Sequence, residues 1–574
     1  MYNELKRFEQ ILFDICAVGL LLFYSYAAVL SPAATQYHRG IYVIVTYVLV
    51  FLLYKSKSTI GRIIDYILII ASIVTIGYWM YNFEAINYRT GAETPLDIGI
   101  AMVGVLLGIE LARRVVGTIF VVIGVVMLAY GVYGDYMPDL VSHAGDTFPY
   151  LCTSIFYKSD GIFGIMANVL ATYILLFVLF GAFLKKCGAQ KFFIDFPLAA
   201  VGHKIGGPGK VAVIASGLFG SISGSAIANT VSTGAFTIPM MKKAGFKPHI
   251  AGAIEPAASI GGMFMPPIMG AGGFIMAELT GLPYSQIMLV ALFPSIMYFF
   301  SVFVMVHYEA KKNNIVGEKS EQNAWDIFKS EWYYTIPLVV ITILMLRGYS
   351  PGYSAILGLV SCIVLSWFRK ETRIGPKEFL EASRDGAVSS LQIGATVGVI
   401  GIIIGVLTFS GLVLTFADIV IELADGSLVL TILLIALASL VLGMGVPVTA
   451  AYLITAVVAV PALTHLGVNV LAAHMIVYWL SQDSNITPPV CIAAFAGATI
   501  AKANMWKTAF SAFKFAKFLY LGPFLFGFVP GFSLTGTSMD IIKAFILIIF
   551  GTWLYSYLLS GIWIQTIFGK KQAA

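Results

Sequence analysis

Apolar stretches long enough to cross a bilayer recur from one end of this chain to the other, and this constrains its folding more than any other feature. A hydrocarbon layer of about 30 Å takes roughly 17–25 mostly apolar residues in helical form. Inside such a layer each backbone polar group has to be satisfied by the protein itself, so helices are the expected solution. With 59% hydrophobic and 11% charged residues there is far more apolar surface than a soluble core can bury. The expected class is an all-α polytopic membrane protein embedded in a lipid bilayer.

The opening decapeptide MYNELKRFEQ carries both signs of charge, and no small-residue cleavage site follows the first apolar run. Residues 11–31 are therefore expected to persist as a helix rather than as a removable leader. Five cysteines, at 16, 152, 187, 362 and 491, are scattered, which argues against a disulfide framework and a CxxC metal site. The histidines form no HExxH pattern, and GGPGKV lacks the GxxxxGK[ST] spacing of a phosphate loop. Nothing in the composition points to nucleic acid.

Basic residues collect on the cytoplasmic side of membrane proteins, and this rule orders the spans. With Lys6 and Arg7 inside, crossings at 11–31 and 41–54 return the chain to Lys55, Lys57 and Arg62. Crossings at 63–81 and 97–112 return it to Arg113 and Arg114, and those at 115–133 and 161–184 to Lys185, Lys186 and Lys191. Both termini are then expected in the cytoplasm.

Residues 211–240 break this alternation. Lys204 and Lys210 precede them, while Lys242, Lys243 and Lys247 follow, so both ends fall on one face. A segment that enters and leaves on the same side must turn at depth, where irregular backbone needs protein or a polar cavity around it. The stretch GSISGSAIANT, 220–230, lies at that turn. Its glycines permit unusual backbone angles, and its Ser and Asn oxygens can satisfy a broken helix or hold a cation. A surface of small residues that packs helices together is the alternative reading.

The two halves share a register. Pro239, Gly245, Pro266 and Pro267 recur as Pro461, Gly467, Pro488 and Pro489, each 222 residues later. Residues 255–274 thus pair with 477–496, and 220–230 with 442–452. Five crossings between the units, at about 248–280, 286–308, 331–346, 353–368 and 388–410, bring the second hairpin, about 427–465, in from the opposite face. An inverted repeat with a re-entrant hairpin and an interrupted helix in each half is the pattern of a secondary transporter, with sites near the midplane at the helix breaks.

These segments resemble a known family. GGPGKVAVIASGLFGSISGSAIANTVSTGAFTIPMMKKAGF, EPAASIGGMFMPPIMGAGGFIMAE and SQDSNITPP are similar to the large membrane subunit of tripartite ATP-independent periplasmic (TRAP) transporters. The similarity is to fused permeases of the TAXI subtype, in which small and large subunits form one chain. It implies a scaffold over 1–135 and a large subunit over 136–574, with repeat units at about 195–308 and 411–530. It also implies sodium-driven import of an organic acid across the cytoplasmic (inner) membrane of a bacterium or archaeon. A TAXI-type periplasmic binding protein would deliver the acid, and an elevator movement would carry it. A sodium- or proton-coupled anion carrier that needs no binding protein is the alternative, and an enzyme is not expected.

Asp483 is the only acid between Asp425 and Asp540. An intramembrane carboxylate is costly and marks function, so Asp483 is expected to hold Na⁺ with Ser484 or Thr487 and with Gly445 and Thr449 of the second hairpin. The alternative is a cap for a half-helix starting near Pro488. A second Na⁺ is expected among Ser223, Gly224, Ser225, Asn229, Ser259 and Gly261. The substrate is assigned to Ser225, Asn229, Pro266, Pro267, Thr487, Pro488 and Pro489. Glu255, the lone acid between Asp195 and Glu278, is open to a structural or a site role. No Arg follows Arg384, so a substrate carboxylate would meet half-helix N-termini, hydroxyls and amides rather than a guanidinium.

Overall fold

The computed structural model describes residues 2–564. Over these the chain is helical, with one isolated extended bridge between Ile205 and Val316 among the described residues. Eleven of the described helices are long and apolar enough to cross a membrane. The expected spans reappear as Arg7–Val29, Thr35–Leu53, Thr59–Tyr81, Pro95–Val115, Ile165–Lys186, Tyr284–Lys312 and Ala324–Leu346. Those at 115–133 and 353–368 are the shorter apolar helices Thr118–Val132 and Pro351–Ser366. The span expected at 388–410 is longer, beginning at Pro376 and running to Ser410 through a change of helix at Ala395–Thr396. Its polar first turns, PKEFLEASRD, hid that start from a reading based on hydropathy.

The chain divides into two compact units. The first comprises residues 2–186, 349–423 and 445–462. Local sequence chemistry sets its helix ends. Thr94 and Asp97 form a reciprocal capping box at the start of Pro95–Val115, the Thr94 amide donating to Asp97 Oδ2 at 2.8 Å and the Asp97 amide to Thr94 Oγ1 at 3.2 Å. Ion pairs then tie helices together at one end. Arg62 reaches Glu9 at 2.5 Å and Arg114 reaches Asp65 at 2.6 Å, while Glu110 takes Arg113 and Arg114 of its own helix at 2.7 Å. Arg62, Arg113 and Arg114, three of the basic residues that ordered the topology, are thus paired with carboxylates. Deeper in this unit, a Cβ on Gly108 would lie 2.9 Å from the Gly398 Cα, so Pro95–Val115 meets Val397–Ser410 backbone against backbone.

The second unit comprises 187–348, 424–444 and, among the described residues, 463–564. It holds both arms of the first hairpin, Gly207–Ser223 and Ala226–Lys243, and the first interrupted helix, Pro248–Phe264 and Gly270–Thr280. It also holds the second interrupted helix, Val470–Leu480 and Ile492–Ala501, with the helices that follow to Ser560. The first hairpin and Pro248–Phe264 pack closely because glycines face each other: a Cβ on Gly262 would lie 2.5 Å from the Gly220 Cα. Aromatic side chains fill the adjoining core, where the Phe264 and Trp479 rings stack at 4.3 Å.

Candidate functional site

The register read from four residues extends through whole elements. Ala226–Lys243 and Val448–His465, the second arms of the two hairpins, begin and end 222 residues apart. Pro239 and Pro461 both lie inside these arms. Gly245 and Gly467 follow them with φ of +105° and +85°, a conformation in which glycine meets no Cβ penalty. Pro266–Pro267 and Pro488–Pro489 lie at the two helix breaks, each doublet joined by a cis peptide bond. Met269 and Cys491, again 222 apart, both adopt left-handed backbone just before the second half-helix, and neither supplies a side-chain cap.

The first hairpin turns at Gly224, φ +63°, and Ser225. Ser225 is the N-cap of the second arm, its hydroxyl accepting the Ala228 amide at 3.3 Å. Asn229 donates through Nδ2 to the Ser216 carbonyl at 3.0 Å, leaving its buried Oδ1 without a partner. Ser259 Oγ is also buried and unpaired. Ser223 lies at 3.5 Å from the Gly220 carbonyl and 3.4 Å from that of Ser225, which are long contacts. Gly261 gives room to Tyr298 and Phe299, whose rings a Cβ there would strike. At the Pro266–Pro267 break the freed carbonyls are met by tyrosines. Tyr284 Oη donates toward Ile268 O at 2.5 Å and Pro267 O at 3.1 Å, while Tyr478 Oη donates toward Met269 O at 2.6 Å and Met263 O at 2.7 Å.

In the second break a 3-10 turn, Asp483–Asn485, takes the place of the α-helix that continues through 261–263 in the first. Asp483, Ser484 and Asn485 are all buried, and Asp483 Oδ1 has no partner. The half-helix starts at Ile492 with Cys491 at its N-cap, so Asp483 does not cap it, against the alternative drawn from sequence. Ser484 packs against Gly443, just past the end of Leu428–Leu442, where an added Cβ would lie 2.5 Å from Ser484 Oγ. Thr487 Oγ1 and Tyr520 Oη are 2.7 Å apart. Gly445, φ +114°, and Thr449, with its buried unpaired Oγ1, belong to the first compact unit, while Asp483 and Ser484 belong to the second.

Glu255 is buried in the second unit and takes hydroxyls from both arms of the first hairpin: Ser216 and Thr233 at Oε1, and Thr237 at Oε2. The Thr233/Thr237 spacing of four residues put two hydroxyls on one helix face, the signal that could have found this cradle in the sequence. Tyr284 and Tyr478 carried no such signal, because their partners are backbone carbonyls far along the chain. Among the unpaired atoms at the breaks, Asp483 Oδ1, Asn229 Oδ1 and Ser259 Oγ are oxygens, the donor type that suits a hard cation such as Na⁺. Among the described residues no three His, Cys, Asp or Glu side chains converge as a transition-metal site would require.

A family model described as "Tripartite ATP-independent periplasmic transporter, DctM component" matches residues 103–532, most of the chain. A Haemophilus influenzae protein described as a TRAP transporter large permease is 27% identical over 320 residues, 55% of this chain and 74% of that one. The 2,3-diketo-L-gulonate TRAP transporter large permease YiaN of Escherichia coli is 29% identical over 29% of this chain and 39% of its own length. The C4-dicarboxylate TRAP transporter large permease DctM of Rhodobacter capsulatus is 28% identical over 33% of this chain and 47% of its own. The chain thus spans less than half the length of these last two relatives.

Proposed function

We propose that this chain, which belongs to the tripartite ATP-independent periplasmic transporter family as a DctM component, imports an organic acid by secondary transport coupled to Na⁺ entry. It is a multi-pass membrane permease rather than an enzyme. The observation that carries the coupling is the buried, unpaired Oδ1 of Asp483, a lone intramembrane acid at the break of a duplicated helix. Asp483 and Ser484 hold one Na⁺ in this reading. Ser223, Gly224, Ser259 and Gly261 surround the other. The acid lies between the two breaks, near Ser225, Asn229, Pro266, Pro267, Thr487, Pro488 and Pro489, and the uncapped half-helix N-termini favour its negative charge.

The names of two relatives, a diketogulonate permease and a C4-dicarboxylate permease, support an acid as substrate. The family's description as a tripartite periplasmic transporter supports a soluble binding protein as partner. The helices before residue 103, where the family match begins, support the fused TAXI-type arrangement. The hairpins work from opposite faces of the inner membrane, both termini lie inside, and transport is of the elevator type. A membrane potential of 100 mV contributes about 2.3 kcal/mol per charge moved, enough for two Na⁺ to drive strong accumulation.

Proteoliposomes test this reading. An inward Na⁺ gradient with acid-loaded binding protein outside should give uptake that collapses when Na⁺ is replaced by K⁺. Equal uptake without the binding protein would favour the simpler anion carrier, and uptake indifferent to Na⁺ would overturn the coupling.

A further inference from the structure

The second break also contains N–H groups, which a cation site does not use. Gln482 is fully buried, and both its Nε2 and its Oε1 lack a hydrogen-bond partner; Asn485 is buried with Nδ2 unpaired. Because both Gln482 atoms are free, this holds whichever way the amide is turned. A buried amide left unpaired is costly, so two of them three residues apart in one turn imply a partner.

Their placement says which kind. The Asn485 amide donates to the Gln482 carbonyl at 3.1 Å, the i to i+3 bond of a 3-10 turn. In such a turn residues i and i+3 eclipse. Gln482 and Asn485 therefore project from one side, and Asp483 from another. Side-chain N–H groups repel a cation and seek an anionic oxygen. The turn thus separates a carboxylate, suited to Na⁺, from a pair of donors, suited to an anion. The register isolates this feature further. Ile260 and Met263 stand 222 residues before Gln482 and Asn485, so the duplicated backbone carries apolar groups in the first repeat and donors only in the second.

We infer that Gln482 and Asn485 form the carboxylate-binding subsite of the transported acid, with Nε2 and Nδ2 donating to its oxygens and Gln482 Oε1 accepting from a neighbouring hydroxyl of the same molecule. The class of ligand is then a hydroxylated organic acid. This inference rests on the reading of the chain as an acid transporter and adds two residues and a substrate class to it.

The test uses the full chain purified in detergent, with L-malate and D-gluconate as hydroxylated probes and succinate as the unhydroxylated one. Thermal stabilisation is titrated at saturating NaCl. At least one hydroxylated acid should stabilise the wild-type protein more strongly than succinate. Gln482→Met and Asn485→Leu should each raise its half-saturating concentration by about tenfold or more, while the shift produced by Na⁺ alone stays. If Gln482→Met does not run as a monodisperse peak, Gln482→Glu, which keeps the shape and replaces donor by acceptor, is read in its place. Wild-type protein stabilised by none of the three acids, or variants that bind as the wild type does, would overturn the subsite. Acid binding that depends on Gln482 in a protein without Na⁺-driven uptake would instead leave the subsite standing and remove the coupling.

Discussion

The hydroxyl of Tyr478, in the second interrupted helix, lies 2.6 Å from the carbonyl oxygen of Met269, in the break of the first. The same hydroxyl is 2.7 Å from Met263 O, so one phenol spans both sides of the Pro266–Pro267 interruption. Tyr478 lies five residues before Asp483 in sequence. A single side chain thus joins the second interrupted helix to the carbonyls of the first break. Tyr478→Phe should keep the packing of the ring and lose about 1–3 kcal/mol from the unsatisfied carbonyls. The expected result is a lower unfolding temperature together with a raised Na⁺ requirement for uptake. Tyr284→Phe, whose partners Pro267 and Ile268 lie in its own repeat, should lower stability with less effect on the Na⁺ requirement.

Asp483→Asn removes the charge and keeps the shape. Uptake at limiting Na⁺ should fall by about tenfold or more, with half-maximal uptake displaced to higher Na⁺ and with membrane abundance retained. Quantitative blotting beside the uptake assay checks both. An unaltered Na⁺ curve would exclude Asp483 as a ligand.

Glu255 joins the first hairpin to the first interrupted helix through three hydroxyls. Glu255→Leu leaves Ser216, Thr233 and Thr237 without their common acceptor and should destabilise the protein by about 1–3 kcal/mol or more. Glu255→Gln, which retains acceptor oxygen, should cost less. Fluorescence-monitored thermal unfolding of the two variants gives the order directly.

Gly262 meets Gly220 through backbone that cannot give way. Gly262→Val should force the first hairpin off Pro248–Phe264 at a cost of about 1–3 kcal/mol or more, seen as lost folded protein in size-exclusion profiles. Gly281→Ala, at a helix end with open space around it but φ of +65°, should cost only the local backbone penalty.

Lys243 and His465 are both exposed and occupy equivalent last positions of the second hairpin arms. In a background lacking the five native cysteines, Lys243→Cys should react with impermeant maleimide from the cytoplasm and His465→Cys from the periplasm. Labelling of both from one side would abolish the inverted arrangement.

What the amino-acid order determined by itself is the helical architecture, because a bilayer's length requirement and the conformational limits of proline and glycine act locally. Apolar runs set most spans, and the spacing of Pro239, Gly245 and Pro266–Pro267 against their later counterparts placed the two interrupted helices without any coordinates. The polar start at Pro376 escaped, since hydropathy sees a helix only where it is apolar. Chemistry at the breaks was legible as residue type, in Asp483 and the serines, but not as partnership. Only the tertiary structure decided that Tyr284 and Tyr478 satisfy the first break, that Glu255 collects three hydroxyls from two arms, and that Gln482 is buried with both ends of its amide free. Hydrogen bonds between groups distant along the chain depend on where packed backbones bring them. Spacing within a segment can show two hydroxyls on one face, as at Thr233 and Thr237, but not which distant group they meet.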